Sequence, residues 1–127
     1  MTRSAIRNGS LGMALAMTLA ACATGSRVPP LALGQETTVE GTIASVDTTP
    51  LAYDGDALVA VSDTAHGAVT VHLPARWNLC KAQHVVELST LAAGDRIRAT
   101  GTATGPGDIT VCEQPSHRLL RLGKPAR

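Results

Sequence analysis

The stretch LAAGDRIRATG (residues 91–101) combines a turn with a strand pattern. Gly94 and Asp95 are residue types that favour tight turns. The residues after them alternate between an apolar face, which holds Ile97 and Ala99, and a polar face, which holds both arginines. A period of two predicts a β-strand with one buried face. The stretch therefore predicts a turn that leads into a core strand of a sheet.

A similar alternation occurs upstream in VEGTIASVD (residues 39–47). Val39, Gly41 and Ile43 share one face, and a Thr/Pro turn signal follows the pattern. A glycine inside a strand often marks a sharp bend. We therefore predict a first strand that begins near Thr37 and bends at Gly41.

Two more strands are predicted between these stretches, over residues 57–62 and 68–73. The Asp-Gly-Asp sequence at 54–56 predicts a turn before them. The short TAHG connection between the two strands is typical of a β-hairpin. His66 and His72 are then interpreted as a turn residue and a residue on the outward side of a strand.

The alternation stops at Pro74, and the next seventeen residues, ARWNLCKAQHVVELSTL, show no strand period. Asn78 can cap a short helix at this point. The apolar members of this helix would be Leu79, Ala82, Val85 and Val86. The sequence therefore predicts a helix between residues 78 and 91.

The remainder of the chain returns to a sheet pattern after residue 101. A TGPG turn leads into DITVCE (residues 108–113), which predicts a fifth strand with Ile109 and Val111 on one face. The next apolar stretch, HRLLRL (117–122), could extend the sheet. Residues 123–127 are expected to be a frayed tail.

This order of elements over residues 37–122 resembles the OB-fold, a small five-stranded barrel. The stretch at 91–101 is similar to the Leu-x-x-Gly-Asp-x-Val/Ile-x-x-x-Gly pattern that opens strand four in many bacterial OB domains, and the glycine-bent first strand adds to the likeness. The resemblance implies a mostly β fold, with one helix between strands three and four. A small β-sandwich is the alternative fold.

The first 21 residues have the features of a secretory signal peptide. Two arginines and no acidic residue precede the apolar stretch LGMALAMTLA, and small residues follow it. This apolar stretch is shorter than a segment that spans a bilayer. We therefore expect residues 1–21 to be a signal peptide rather than a transmembrane helix.

The four residues LAAC (19–22) resemble the lipobox of bacterial lipoproteins. The resemblance implies cleavage before Cys22 and lipidation of its side chain, so that acyl chains such as palmitate anchor the protein to a membrane. Ala23 stands where an aspartate often retains such proteins in the inner membrane, which implies the outer membrane, facing the periplasm. Residues 22–36 are rich in Gly, Ser and Pro and are expected to form a lipidated flexible tether.

Lipidation of Cys22 would leave Cys80 and Cys112 as an even pair in an oxidising compartment. A disulfide between them is the simplest expectation. The alternatives are two independently buried thiols and a tetrahedral zinc site that uses both cysteines together with His84 and His117. The same two thiols cannot serve both purposes, and we expect the disulfide and no cofactor.

Composition argues against several functional classes. Removal of Arg3 and Arg7 leaves nine basic residues against ten acidic ones, and Tyr53 and Trp77 are the only aromatic residues. Nucleic-acid binding by an OB domain needs a basic groove and aromatic stacking, so no nucleic-acid partner is expected. Arg96 and Arg98 are interpreted as solvated surface. No methionine remains after residue 21, which argues against a Cu(I) site.

Catalytic motifs are also lacking: the sequence contains no Gly-x-Ser-x-Gly elbow, no His-Glu-x-x-His helix and no phosphate-binding glycine loop. We expect a protein that is not an enzyme. Three functions remain open: a lipid-anchored envelope module that binds a protein, glycan or small ligand; a periplasmic metal-binding protein; and a structural accessory subunit of an envelope complex.

Overall fold

A computed structural model describes residues 28–125 of the chain. The predicted signal peptide and Cys22 lie outside the described residues. Seven strands are present in this range: β1 (Glu36–Asp47), β2 (Ala57–Asp63), β3 (Gly67–Leu73), β4 (His84–Val85), β5 (Arg96–Gly105), β6 (Asp108–Thr110) and β7 (Arg118–Gly123). Three short 3₁₀ helices lie between them: Thr49–Tyr53, Trp77–Leu79 and Leu88–Thr90.

Five of the strands close into a barrel, because β1, β2, β3, β6 and β5 are neighbours in that order and β5 also pairs with β1. β3 and β6 run in parallel, and the other neighbours in the barrel are antiparallel. The predicted mostly β, OB-like small barrel is therefore confirmed. β7 continues along the edge of β5 beyond β6, so the predicted extension of the sheet is also present.

Gly41 lies where the pairing of β1 passes from β5 to β2. Residues 36–42 of β1 pair with β5, whereas residues 41–47 pair with β2. A Cβ atom at position 41 would collide with the backbone carbonyl of Ser62. The strand therefore needs a residue without a side chain at this crossing, which is the position where the sequence predicted a bend.

The turn before β5 is fastened to β1 by backbone hydrogen bonds. Gly94 has a φ of +92°, in the region that favours glycine, and its N–H donates to the Ile43 carbonyl over 2.8 Å. Ile43 N–H donates in return to the Asp95 carbonyl over 2.9 Å. The buried Asp95 carboxylate accepts the Ala92 N–H over 3.0 Å and closes the turn.

The core of the barrel consists of the apolar faces predicted from the alternating patterns. Its members are mostly Val, Ile, Leu and Ala side chains that are buried from solvent: Val39, Ile43, Ala57, Val59, Val61, Val69, Val71, Leu73, Ile97, Ala99, Ala103, Ile109, Val111 and Leu119. Burial of each such side chain contributes roughly 1.5–3 kcal/mol before conformational entropy is counted.

The predicted helix over residues 78–91 is wrong. The structure has two single-turn 3₁₀ helices there, separated by the two-residue strand β4. Lys81 and Ala82 both donate their N–H groups to the Cys112 carbonyl, and Val86 donates to the Leu119 carbonyl. These bonds to distant strands replace the local bonds of a helix, so tertiary pairing overrides the weak local preference.

The packed part of the chain also begins before the predicted boundary at residue 37. Leu31 is buried, and its N–H donates to the Pro106 carbonyl over 2.9 Å. Gly34 N–H donates to the Ala103 carbonyl, and Ala103 N–H donates to the Gln35 carbonyl. The last residues of the predicted tether (22–36) therefore pack against the β5–β6 hairpin.

Candidate functional site

An apolar groove of about 590 Å³ lies at one end of the barrel. We call it the end groove. Three chain segments line it: the β1–β2 connection (Thr48, Leu51), the chain from the end of β3 (Leu73, Pro74, Ala75, Trp77) and the chain around β4 (Val85, Val86, Glu87, Leu88, Ser89). Its volume is typical of sites that hold a small ligand or a few side chains of a partner.

One cysteine of the Cys80–Cys112 disulfide lies in the chain between the groove-lining residues Trp77 and Val85. The two Cα atoms are 4.5 Å apart, and 32 residues separate the cysteines along the chain. The predicted pairing is therefore present in the structure. Because Cys112 directly follows the core residue Val111, the bridge fastens the groove-lining chain to the barrel.

An ion pair joins the other two segments that line the groove. Arg76 Nη2 lies 3.0 Å from Asp54 Oδ2, and both side chains are exposed. Asp54 ends the first 3₁₀ helix in a left-handed conformation, with a φ of 63°. The predicted turn at residues 54–56 thus carries a side chain that reaches the chain after β3. An exposed pair of this kind contributes little stability.

Among residues 28–125, three of the six large exposed apolar side chains lie in or next to the chain segments that line the end groove. Trp77 lines the groove and is 37% exposed, and Leu79, two residues later, is 69% exposed. Tyr53, at the end of the 3₁₀ helix that places Leu51 in the groove, is 86% exposed. Large exposed apolar side chains next to a concave apolar surface are typical of a binding site.

Comparison with known proteins gives no assignment. No family model, curated protein or solved structure matches the chain. We therefore infer the function from the residues that line the end groove.

A second cavity, of about 420 Å³, is polar and lies near the β2–β3 hairpin. Its charged groups already have partners: the Glu40 carboxylate contacts Arg96 at 3.3 Å and also Arg98, which lies outside the cavity lining, at 2.9 Å. Buried Asp63 accepts hydrogen bonds from the backbone of Glu40, Ala65 and His66. Because these charged groups already have partners within the protein, they are less available to bind a ligand than the residues of the end groove are.

Hydrogen bonding also determines the protonation of Asp63. Burial by itself would raise the pKa of this carboxyl group. The N–H groups of Glu40, Ala65 and His66, together with the His66 ring, outweigh burial and hold the pKa below its ordinary value. Asp63 therefore acts as an ionised cap of the β2–β3 hairpin.

The four candidate zinc ligands do not form a metal site in the structure. Cys80 and Cys112 are joined to each other, and His84 is exposed on β4. His117 is buried, with Nδ1 accepting the Cys112 N–H over 3.1 Å and Nε2 lying 3.3 Å from the Thr102 hydroxyl. Within residues 28–125, no group of three or more His, Cys, Asp or Glu side chains could hold a metal ion.

His72 has charged partners that the sequence did not indicate. Its Nε2 lies 2.8 Å from Asp108 Oδ1, and its Nδ1 lies 3.4 Å from Asp56 Oδ2. The imidazole thus links the β1–β2 connection to the β5–β6 hairpin across the outward face of β3. This contact explains why a histidine interpreted as simple surface is half-buried.

Proposed function

We propose that this protein is a lipid-anchored, non-catalytic binding module of the bacterial cell envelope, and that the end groove is its binding site. Apolar lining next to exposed Trp77 and Leu79 carries this proposal. Such a surface gains free energy when an apolar group covers it. The few polar side chains in the groove, Thr48, Glu87 and Ser89, would orient the bound group.

The lipobox resemblance supports the proposed location at the periplasmic face of the outer membrane. Cys22 would be the lipidated residue, and the membrane would be the first partner. None of the helices in residues 28–125 is long and apolar enough to cross a membrane.

We expect Cys22→Ser to release the protein from the membrane fraction or to leave it unprocessed, because the variant lacks the thiol that would be acylated. Cell fractionation and the mass of the isolated protein measure this. Cys80→Ser is the matched control, since it also replaces a cysteine and, although it opens the disulfide, should leave the membrane attachment intact. Normal processing and membrane attachment of the Cys22→Ser protein would contradict the proposed anchor.

Trp77 provides a direct measurement of binding in the groove. It is the only tryptophan of the chain and lines the end groove, so its emission reports what enters there. We expect the uncharged dye phenylnaphthylamine to bind saturably, with energy transfer from Trp77. Leu88→Gln, which places an amide in the groove, should weaken this binding about tenfold, since burial of a leucine is worth on the order of 1.5–3 kcal/mol.

Leu33→Gln is the matched control for Leu88→Gln. Leu33 is 73% exposed and lies in the segment that packs on the β5–β6 hairpin, outside the end groove. Its replacement should leave dye binding unchanged. Thermal unfolding of both variants should first show that they are folded. Equal binding by both folded variants, or no saturable binding by the unchanged protein, would count against the end groove as the site.

A further inference from the structure

The acidic groups next to the end groove indicate the charge of its occupant; this inference rests on the proposed function of the groove. Glu87 lines the groove, and Asp47 precedes the lining residue Thr48. Among residues 28–125, no basic side chain lies within 4.0 Å of either carboxylate. The nearby Arg76 is already paired with Asp54.

Both carboxylates are held in place by local hydrogen bonds. The Ser89 hydroxyl donates to Glu87 Oε1 over 3.0 Å. The Thr49 backbone N–H lies 2.9 Å from Asp47 Oδ1 and, with the Thr49 side chain, holds the pKa of Asp47 below its ordinary value. The groove therefore combines an apolar lining with the positioned carboxylate of Glu87, and Asp47 adds a negative charge one residue before the lining residue Thr48.

The chain around β4 also offers a free strand edge. Residues 85–89 line the groove consecutively, and β4 is the last strand of the sheet. Val86 N–H faces β7 and donates a hydrogen bond to the Leu119 carbonyl. Successive residues of a strand point their backbone groups to opposite edges, so the N–H and C=O of Val85 face away from β7. An extended chain could pair with them.

The position of the groove also separates it from the proposed lipid anchor. Val28, the first described residue, lies beside Gly67 at the start of β3, with its Cγ2 3.7 Å from where a Gly67 Cβ would stand. The groove contains Leu73 and Pro74 at the other end of β3. Seven residues of strand span roughly 20 Å. The groove thus lies at the opposite end of β3 from Val28.

We propose that the end groove binds an extended polypeptide segment of a partner protein, with apolar side chains that enter the groove and a Lys or Arg that pairs with Glu87. A volume of about 590 Å³ accommodates a few apolar side chains rather than a whole helix face.

Two Trp-free synthetic peptides test this proposal: one alternates Val and Lys, and the other has Glu in place of every Lys. The full protein is titrated at low salt, and Trp77 emission is followed. We expect the Lys peptide to shift the emission to shorter wavelength and to bind at least about tenfold more tightly than the Glu peptide, because only the Lys peptide complements the two carboxylates.

Glu87→Gln should weaken Lys-peptide binding about two- to fivefold, as expected for a partly exposed ion pair. It should weaken dye binding less than Lys-peptide binding, because the uncharged dye has no positive charge to pair with Glu87. Glu113→Gln is the matched control: this residue is exposed and lies outside the groove, so its replacement should alter neither titration.

The outcomes separate this proposal from the proposed function. If the dye binds but the two peptides bind equally, or if Glu87→Gln leaves the Lys peptide unaffected, the basic polypeptide partner is wrong and the groove remains a binding site for apolar ligands. If neither the dye nor a peptide changes Trp77 emission, both proposals are wrong.

Discussion

Replacing Cys80 and Cys112 together by serine should lower the free energy of unfolding by about 3–4 kcal/mol, because a cross-link that closes a loop of this length removes much of the entropy of the unfolded chain. The loss should be measured by urea denaturation, in a chain that also carries Cys22→Ser so that no other thiol is present. Such a loss is a large share of the stability of a domain with so few aromatic residues.

The same double substitution should also loosen the groove. The disulfide fastens the groove-lining chain to the barrel next to Val111, so its removal should shift Trp77 emission toward that of exposed tryptophan before the barrel unfolds. A loss of stability below about 1 kcal/mol, or two free thiols in the denatured, unreduced protein that retains both cysteines, would contradict the assigned disulfide.

Gly41→Ala should destabilise the barrel by about 3 kcal/mol or more. The new Cβ would stand against the Ser62 carbonyl, and this backbone atom cannot move away without disturbing the β1–β2 pairing. Urea denaturation again measures the change. Gly123→Ala is the matched control, because nothing lies within 4 Å of its added Cβ, and it should change stability by less than about 0.5 kcal/mol. Equal effects of the two substitutions would contradict the tight crossing at Gly41.

The barrel strands were predictable because each has one face in the core and one in solvent. The alternation around Ile97 and around Val69 therefore appears directly in the sequence, and Gly41 and Gly94 occupy positions where a side chain or an ordinary φ would not fit. Local pattern and tertiary packing agree at these positions.

The chain between β3 and β5 was not predictable in the same way. Its apolar residues are spaced as in a short helix, but its backbone groups bond to Cys112 and Leu119, which are about thirty residues further along the chain. Local periodicity carries no information about such distant partners. A disulfide at Cys80 was expected, but the backbone hydrogen bonds from Lys81 and Ala82 to Cys112 beside it were not.

The end groove also could not be predicted from the sequence. It brings together Leu51, Trp77 and Leu88 from three separate connections, none of which has a regular pattern. In the sequence, Trp77 is notable only as one of the chain's two aromatic residues. Its exposure beside Leu79 became informative only when the surrounding chain was in place.

The most direct test of the end groove is an NMR titration of the ¹⁵N-labelled protein with the uncharged dye. The proposal predicts that amide shifts change with saturation at residues 48–51, 75–77 and 85–89, together with the indole N–H of Trp77. It also predicts little change on the outward face of β2 and β3, where OB-folds commonly bind their ligands. Saturable changes centred on Thr70 and His72 instead, or no changes at all, would contradict the end groove as the binding site.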